Sequence, residues 1–150
     1  TDKGAFMKLE DIKMAIENDI EIDHTELDKE AIKTPQLHNK YMNILNEEKM
    51  LMFKYEDDYK KLRKYKWLYY TGKISQEELD HFEWQPFQLN ILKQDIDKFM
   101  DSDEDLVKLK SKMTYQKIKI DHLESTIKMI ANRQWLIRQA IDWIKFTNGA

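Results

Sequence analysis

Twelve positions near the end of the chain, 106, 109, 113, 116, 120, 123, 127, 130, 134, 137, 141 and 144, step by alternating threes and fours, and ten of them are Leu, Met or Ile. A helix is the regular structure that returns side chains to one face at that interval, so the stretch is held to an α-helix with a coiled-coil-like seam. Gln116 and Gln134 are the polar members of the stripe, placed where a seam can set its register. After residue 128 a second apolar set, Met129, Trp135, Leu136, Ala140, Trp143 and Phe146, lies off the stripe. One helix partner cannot cover both faces. Two arrangements satisfy the pattern: this segment packs within the chain and between chains, or both faces are buried in one intrachain bundle. The first assigns Ile127, Ile130, Trp135, Ile137, Ile141, Trp143 and Ile144 to oligomerisation.

Upstream, Leu9, Ile12, Ile16 and Ile20 carry helical spacing and predict a short helix ending near Asp23. A second start at Thr25 carries Leu27 and Ala31, after which "TPQL" predicts a fresh helix with Thr34 as its cap and Pro35 at its first position. From Pro35 to Tyr70 no breaker occurs, and Leu37, Tyr41, Ile44, Leu51, Tyr55, Leu62, Tyr65 and Tyr69 form one stripe, interrupted by Glu48 and Asp58. Gly72 is placed as a left-handed stop. Ser75 and Glu78 have capping-box spacing for a short helix through Phe82, and "FEWQPF" follows as an aromatic turn. Pro86 then predicts a helix from Leu89 to Met100, and "DSDED" at 101–105 reads as a connection with a cap. It lacks the glycine and the closing glutamate of a calcium loop.

With 3 Gly and 2 Pro in 150 residues, sheet hairpins have little to turn on. The expected fold is all-α: an elongated multi-helix bundle with two long helices and a C-terminal coiled-coil-like oligomerisation helix. Residues 1–6 are read as an appended remnant, 7–105 as a helical DNA-binding region and 106–150 as the helix for packing and oligomerisation, all in one structural unit. There is no cysteine, so neither a disulfide framework nor a thiolate site is available. No uncharged run approaches the ~18 residues of a membrane span, and no membrane partner is expected. With no cysteine to oxidise, a reducing intracellular location, the cytoplasm, is expected.

Catalytic patterns are missing. His24, His38, His81 and His122 never pair at ligand spacing, and Gly4, Gly72 and Gly149 belong to no phosphate-binding loop. The carboxylates alternate with lysines at helix-surface spacing, where they form solvated ion pairs. No metal, cofactor or enzymatic activity is expected.

Charge is the remaining signal. The net charge is −3, yet "KKLRKYKWLYYTGK" at 60–73 holds six basic residues, four aromatics and no acid, which leaves −9 on the rest. Lys60, Lys61, Arg63, Lys64 and Lys66 spread over a broad arc of the helix at ~100° per residue. Leu62, Tyr65 and Tyr69 continue the core stripe, whereas Trp67 and Tyr70 fall among the cations. Rings flanked by cations suit single-stranded nucleic acid, since bases stack on the rings while lysine and arginine neutralise phosphates. The candidate DNA-binding residues are Lys60, Lys61, Arg63, Lys64, Lys66, Trp67, Tyr70 and Lys73. Two bland readings compete: the lysines complement a helix C-terminus, and Trp67 and Tyr70 seat the 73–88 connection. A coiled-coil scaffold whose patch docks an acidic protein is the alternative function.

"MKLEDI" from Met7, "IDHTELDKEA" from Ile22, "KYKWLYYTGK" from Lys64, "EDLVKLKSKM" from Glu104 and "RQAIDWIKFTNG" from Arg138 together resemble the UvsY recombination mediator family of T-even-type bacteriophages, collinearly from Met7 to Gly149. That family carries a single-strand-binding motif of Lys, any residue, Arg, two residues, Tyr-Tyr, a small hydroxyl residue and Gly. The resemblance lays it on Lys64, Lys66, Tyr69, Tyr70, Thr71 and Gly72, with Lys66 standing where the family has Arg, so that a point charge replaces a bidentate clasp. Leu68 stands in place of an acid and Trp67 in place of an aliphatic residue. The resemblance implies a mediator that assembles through its C-terminal helices into a hexameric or heptameric ring. Its implied partners are single-stranded DNA, a RecA-type phage recombinase and the phage single-stranded-DNA-binding protein.

Overall fold

The computed structural model describes residues 7–149; residues 1–6, read above as an appended remnant, and residue 150 lie outside the described residues. Every regular element among the described residues is helical: α1 (Leu9–Ile20), α2 (Leu27–Tyr70), α3 (Gln76–Phe82), a 3-10 turn (Lys93–Asp95), α4 (Ile96–Asp101) and α5 (Glu104–Thr147). The two long helices of the all-α expectation are α2 and α5, of 44 residues each. The chain divides into two compact units, and α2 and α5 contribute to both.

The first unit gathers α1, α2 as far as Leu51 and α5 from Lys117. Its core is Ile12 and Ile16 of α1, Tyr41 and Leu45 of α2, and Leu123 and Ile130 of α5. The spacing that marked each helix therefore supplies the shared face. Glu48, which interrupts the α2 stripe, is wholly buried, and buried Lys119 reaches it at 2.8 Å while also donating to the Met7 carbonyl at 2.8 Å. A pair of this kind adds little over an apolar contact, but any register that separates its members is penalised.

Pro35 does not open a new helix. It lies inside α2, which begins at Leu27 after Asp23 accepts hydrogen bonds from the Thr25 amide at 2.9 Å and the Thr25 hydroxyl at 2.6 Å. An interior proline forfeits a backbone bond and crowds the preceding turn. Here that turn is braced from α5: Arg133 donates to the Glu30 carbonyl, to the Glu30 carboxylate and, at 3.1 Å, to the hydroxyl of buried Thr34. Thr34 serves this contact and caps nothing. Glu30 is held below the usual carboxylate range chiefly by its hydrogen bond from Lys33, with burial opposing and Arg133 adding to the effect.

The second unit spans Met52–Gln116. Ile96, Met100 and Leu106 form its buried centre, with Tyr59, Leu62, Tyr70 and Ile91 against it. The capping box at Ser75 is present: its hydroxyl accepts from the Glu78 amide at 3.2 Å, and the Glu78 carboxylate accepts from the Ser75 amide at 3.4 Å. The helix expected from Leu89 to Met100 is shorter and later. Residues 83–92 carry no helix, because this segment is spent on seating Trp84 and Phe87 among the rings of α2; helix resumes as α4 at Ile96.

Candidate nucleic-acid interface

The basic stretch closes α2 and turns into α3 within the second unit. Its stop is a Schellman motif: the Lys73 amide donates to the Leu68 carbonyl at 2.9 Å and the Gly72 amide to the Tyr69 carbonyl at 3.3 Å, with Gly72 at φ +74°. The Thr71 hydroxyl donates back to the Trp67 carbonyl at 2.8 Å. Thr71 and Gly72 thus fix where the patch ends.

Six of the eight candidate DNA-binding residues are solvent-exposed: Lys60, Lys61, Arg63, Lys64, Trp67 and Lys73. Among the described residues none of these five cations enters an ion pair with an acid. Trp67 is 40% exposed, and the Lys73 ammonium lies 4.8 Å from its ring centroid. An indole with a cation over its ring is therefore offered to solvent.

Lys66 and Tyr70 are placed differently. Lys66 is 5% exposed; its ammonium reaches Asp103 at 3.1 Å and Asp105 at 2.8 Å, and lies 4.0 Å from the centroid of the Trp84 ring. Tyr70 packs edge-on against Phe87 at 5.0 Å and Tyr69 at 5.1 Å, and its hydroxyl donates to Asp103 at 2.6 Å. Burial works to raise the Asp103 carboxyl, but hydrogen bonds from Tyr70, the Leu106 amide and Lys66 outweigh it and hold the group below the usual carboxylate range. Burial and that same carboxylate push the Tyr70 phenol far above its ordinary value. Tyr69 faces inward too, donating to the Gln85 carbonyl at 2.6 Å and lying against Trp84 and Phe87. Of the motif placed on this stretch, Lys64 and the turn residue Gly72 are exposed, Lys66 is buried, and Tyr69, Tyr70 and Thr71 are half-buried and shape the surface from beneath.

The residue that organises this underside is Asp103, which supplies the cap expected within 101–105 and, beyond that expectation, a partner for Lys66 and Tyr70. It caps α5 by accepting from the Leu106 amide at 3.0 Å and pairs with Lys66. The signal in the sequence is its position three residues ahead of Leu106, where the α5 stripe starts and a capping carboxylate belongs. Also unforeseen is a groove of about 530 Å³ beside Trp67 and Lys73, walled on its other side by 87–91, with Lys93 and Asp97 on its lining. No sequence period marks it, because its wall is not a helix.

The oligomerisation candidates lie on α5 in the first unit. Ile130 and Ile137 are 1% and 2% exposed and so belong to the interior of the chain, while Ile127 and Ile141 are half-buried. Trp135, Trp143 and Ile144 are exposed, joined by Met129, Leu136 and Phe146. The intrachain bundle does not cover this second apolar set.

A family model described as "Recombination, repair and ssDNA binding protein UvsY" matches residues 15–150. The chain belongs to the UvsY family. The recombination protein uvsY of Enterobacteria phage T4 is 26% identical over 145 residues, covering 95% of this chain and 99% of that protein. The crystal structure of the bacteriophage T4 recombination mediator protein UvsY in lattice type II superposes with a TM-score of 0.83 at 24% identity, over 95% of this chain and 98% of that one. In lattice type I the TM-score is 0.76 at 22% identity, over 91% and 98%. At such identity the likeness establishes a shared all-helical UvsY fold. No helix among the described residues is long and apolar enough to cross a membrane.

Proposed function

We propose that this chain is a phage recombination mediator that binds single-stranded DNA as a ring-like hexamer or heptamer, helps displace the single-stranded-DNA-binding protein and loads a RecA-type recombinase inside the infected host cell. The observation that carries the reading is the set of five exposed cations of 60–73, none ion-paired with an acid among the described residues, on the same stretch as a half-exposed indole that Lys73 overlies, in a chain of the UvsY family. Lys60, Lys61, Arg63, Lys64 and Lys73 meet phosphates, and Trp67 offers a stacking face. Lys66 and Tyr70 act from below by holding the helix end against Asp103.

Copies associate through the exposed face of α5 carrying Trp135, Trp143, Ile144 and Phe146, since an apolar patch left in water by the protomer marks a protein contact. Repetition round the ring gives a weak patch a high effective concentration for the next stretch of strand. A strand held in the shape the ring dictates is exchanged from the single-strand-binding protein to the recombinase. The test is an anisotropy titration of labelled single strand and matched duplex across a salt series, with the Lys60/Lys61/Arg63/Lys64→Ala variant alongside. Four lost phosphate contacts flatten the single-strand salt slope by about 3, at ~0.7 per contact. An unchanged slope sinks the assignment, and salt-sensitive capture of an acidic protein with no preference for single strands would favour a docking scaffold.

A further inference from the structure

The groove beside Trp67 asks for an occupant of definite chemistry. Its lining combines a half-exposed indole, the exposed apolar side chain of Leu89, the amides of Gln88 and Asn90, and two ammonium groups, Lys73 and Lys93, against one carboxylate, Asp97. Among the described residues none hydrogen-bonds to the backbone amides of Gln88, Leu89 or Asn90, nor to the side-chain amides of Gln88 and Asn90. A flat ring to stack, donors and acceptors beside it, and cations at the rim match the parts of a nucleotide. The size agrees, since about 530 Å³ lies within the ~300–1,000 Å³ of small-molecule sites.

We propose that this groove is a nucleotide subsite that takes one unstacked base of the bound strand, stacked on Trp67 and walled by Leu89, with its edge on Asn90 or Gln88 and its phosphate on Lys73 and Lys93. The inference rests on the single-strand reading above and gives it a source of strand selectivity. In duplex the base is paired and stacked, so it enters only at the cost of opening the helix. The Lys73 ammonium rests over the indole ring in the free protein. A base arriving on that face releases it to the phosphate that arrives with the base.

The experiment compares a single-stranded oligonucleotide with an abasic one of the same length and phosphate charge, using the full chain, the Trp67→Leu and Trp67→Phe variants, and Leu89→Ser in the exposed loop. The wild type should prefer the base-bearing strand on the order of tenfold, as for stacking on one aromatic ring. Trp67→Leu should lose that preference, Trp67→Phe should keep most of it, and Leu89→Ser should reduce it. If the wild type binds both strands equally, or if Trp67→Leu and Leu89→Ser keep the full preference, the subsite is refuted while the basic-patch reading stands. If the wild type binds neither strand, the patch reading fails and the subsite with it.

Discussion

Replacing Lys66 by Met separates a structural role from a DNA-contacting one. The substitution keeps the unbranched stem beside Trp84 and removes the ammonium that pairs with Asp103 at 3.1 Å. Asp103 is 6% exposed as a residue, so its charge stays buried when its cation is lost. Breaking one side of a buried pair costs about 3–5 kcal/mol. The low end applies here, because Asp103 retains the Tyr70 hydroxyl at 2.6 Å and the Leu106 amide at 3.0 Å. The second partner, Asp105, has a side chain 55% exposed, and that contact, screened by water, adds little. A loss of about 3 kcal/mol lowers Tm by roughly 6–12 °C for a chain of this size. Lys64→Met, an exposed change at the neighbouring charge, should stay within about 0.5 kcal/mol of wild type. The assay is thermal unfolding followed by circular dichroism at fixed protein concentration. The pH dependence follows from Asp103, whose carboxyl is held below the usual range in the fold. Its stabilisation is complete above the unfolded carboxyl value and is lost as pH falls through the lowered folded one, so the gap between wild type and Lys66→Met should close in acid. A Lys66→Met protein as stable as Lys64→Met at neutral pH, with an equal loss of single-strand affinity, would refute the bracing role.

Three further outcomes follow from particular contacts. Trp143→Ser combined with Phe146→Ser, at positions exposed in the protomer, should reduce the assembled species in sedimentation velocity while leaving helicity intact; a double variant that sediments as wild type would remove α5 from the contact between copies. Gly72→Ala should cost about 1–2 kcal/mol, because an added Cβ meets nothing within 4 Å and the whole penalty is the left-handed backbone. Gly72→Asn should cost less, and equal stability of all three proteins would discount the Schellman stop. Arg133→Met should destabilise by about 3–5 kcal/mol and lower hydrogen-exchange protection across 27–35, ahead of Pro35; protection unchanged there would mean α2 tolerates its proline unaided.

Much of the helical layout was legible in the sequence because periodicity is local. The α5 stripe from Leu106 to Ile137, the Gly72 stop and the Ser75 capping box needed only the spacing of side chains along one segment. Two boundaries escaped for a non-local reason. Pro35 reads as a helix start until Arg133, nearly a hundred residues on, braces the turn before it, and Pro86 reads as another until Phe87 is claimed by the rings of Tyr69 and Tyr70.

The sequence by itself determined that this chain is all-helical, that its positive charge is concentrated at 60–73, and that α5 has more apolar surface than one partner helix covers. Only the tertiary structure decided which of those charges and rings meet water. On a lone helix Lys64 and Lys66, two residues apart and so about 200° round the axis, both end in water. Packing α5 with its capping Asp103 against that side of α2 turns Lys66 and Tyr70 inward and leaves Lys60, Lys61, Arg63, Lys64, Trp67 and Lys73 outside. A helical wheel assigns a direction to each side chain, but whether that direction ends in solvent or in a carboxylate depends on what the rest of the chain brings there.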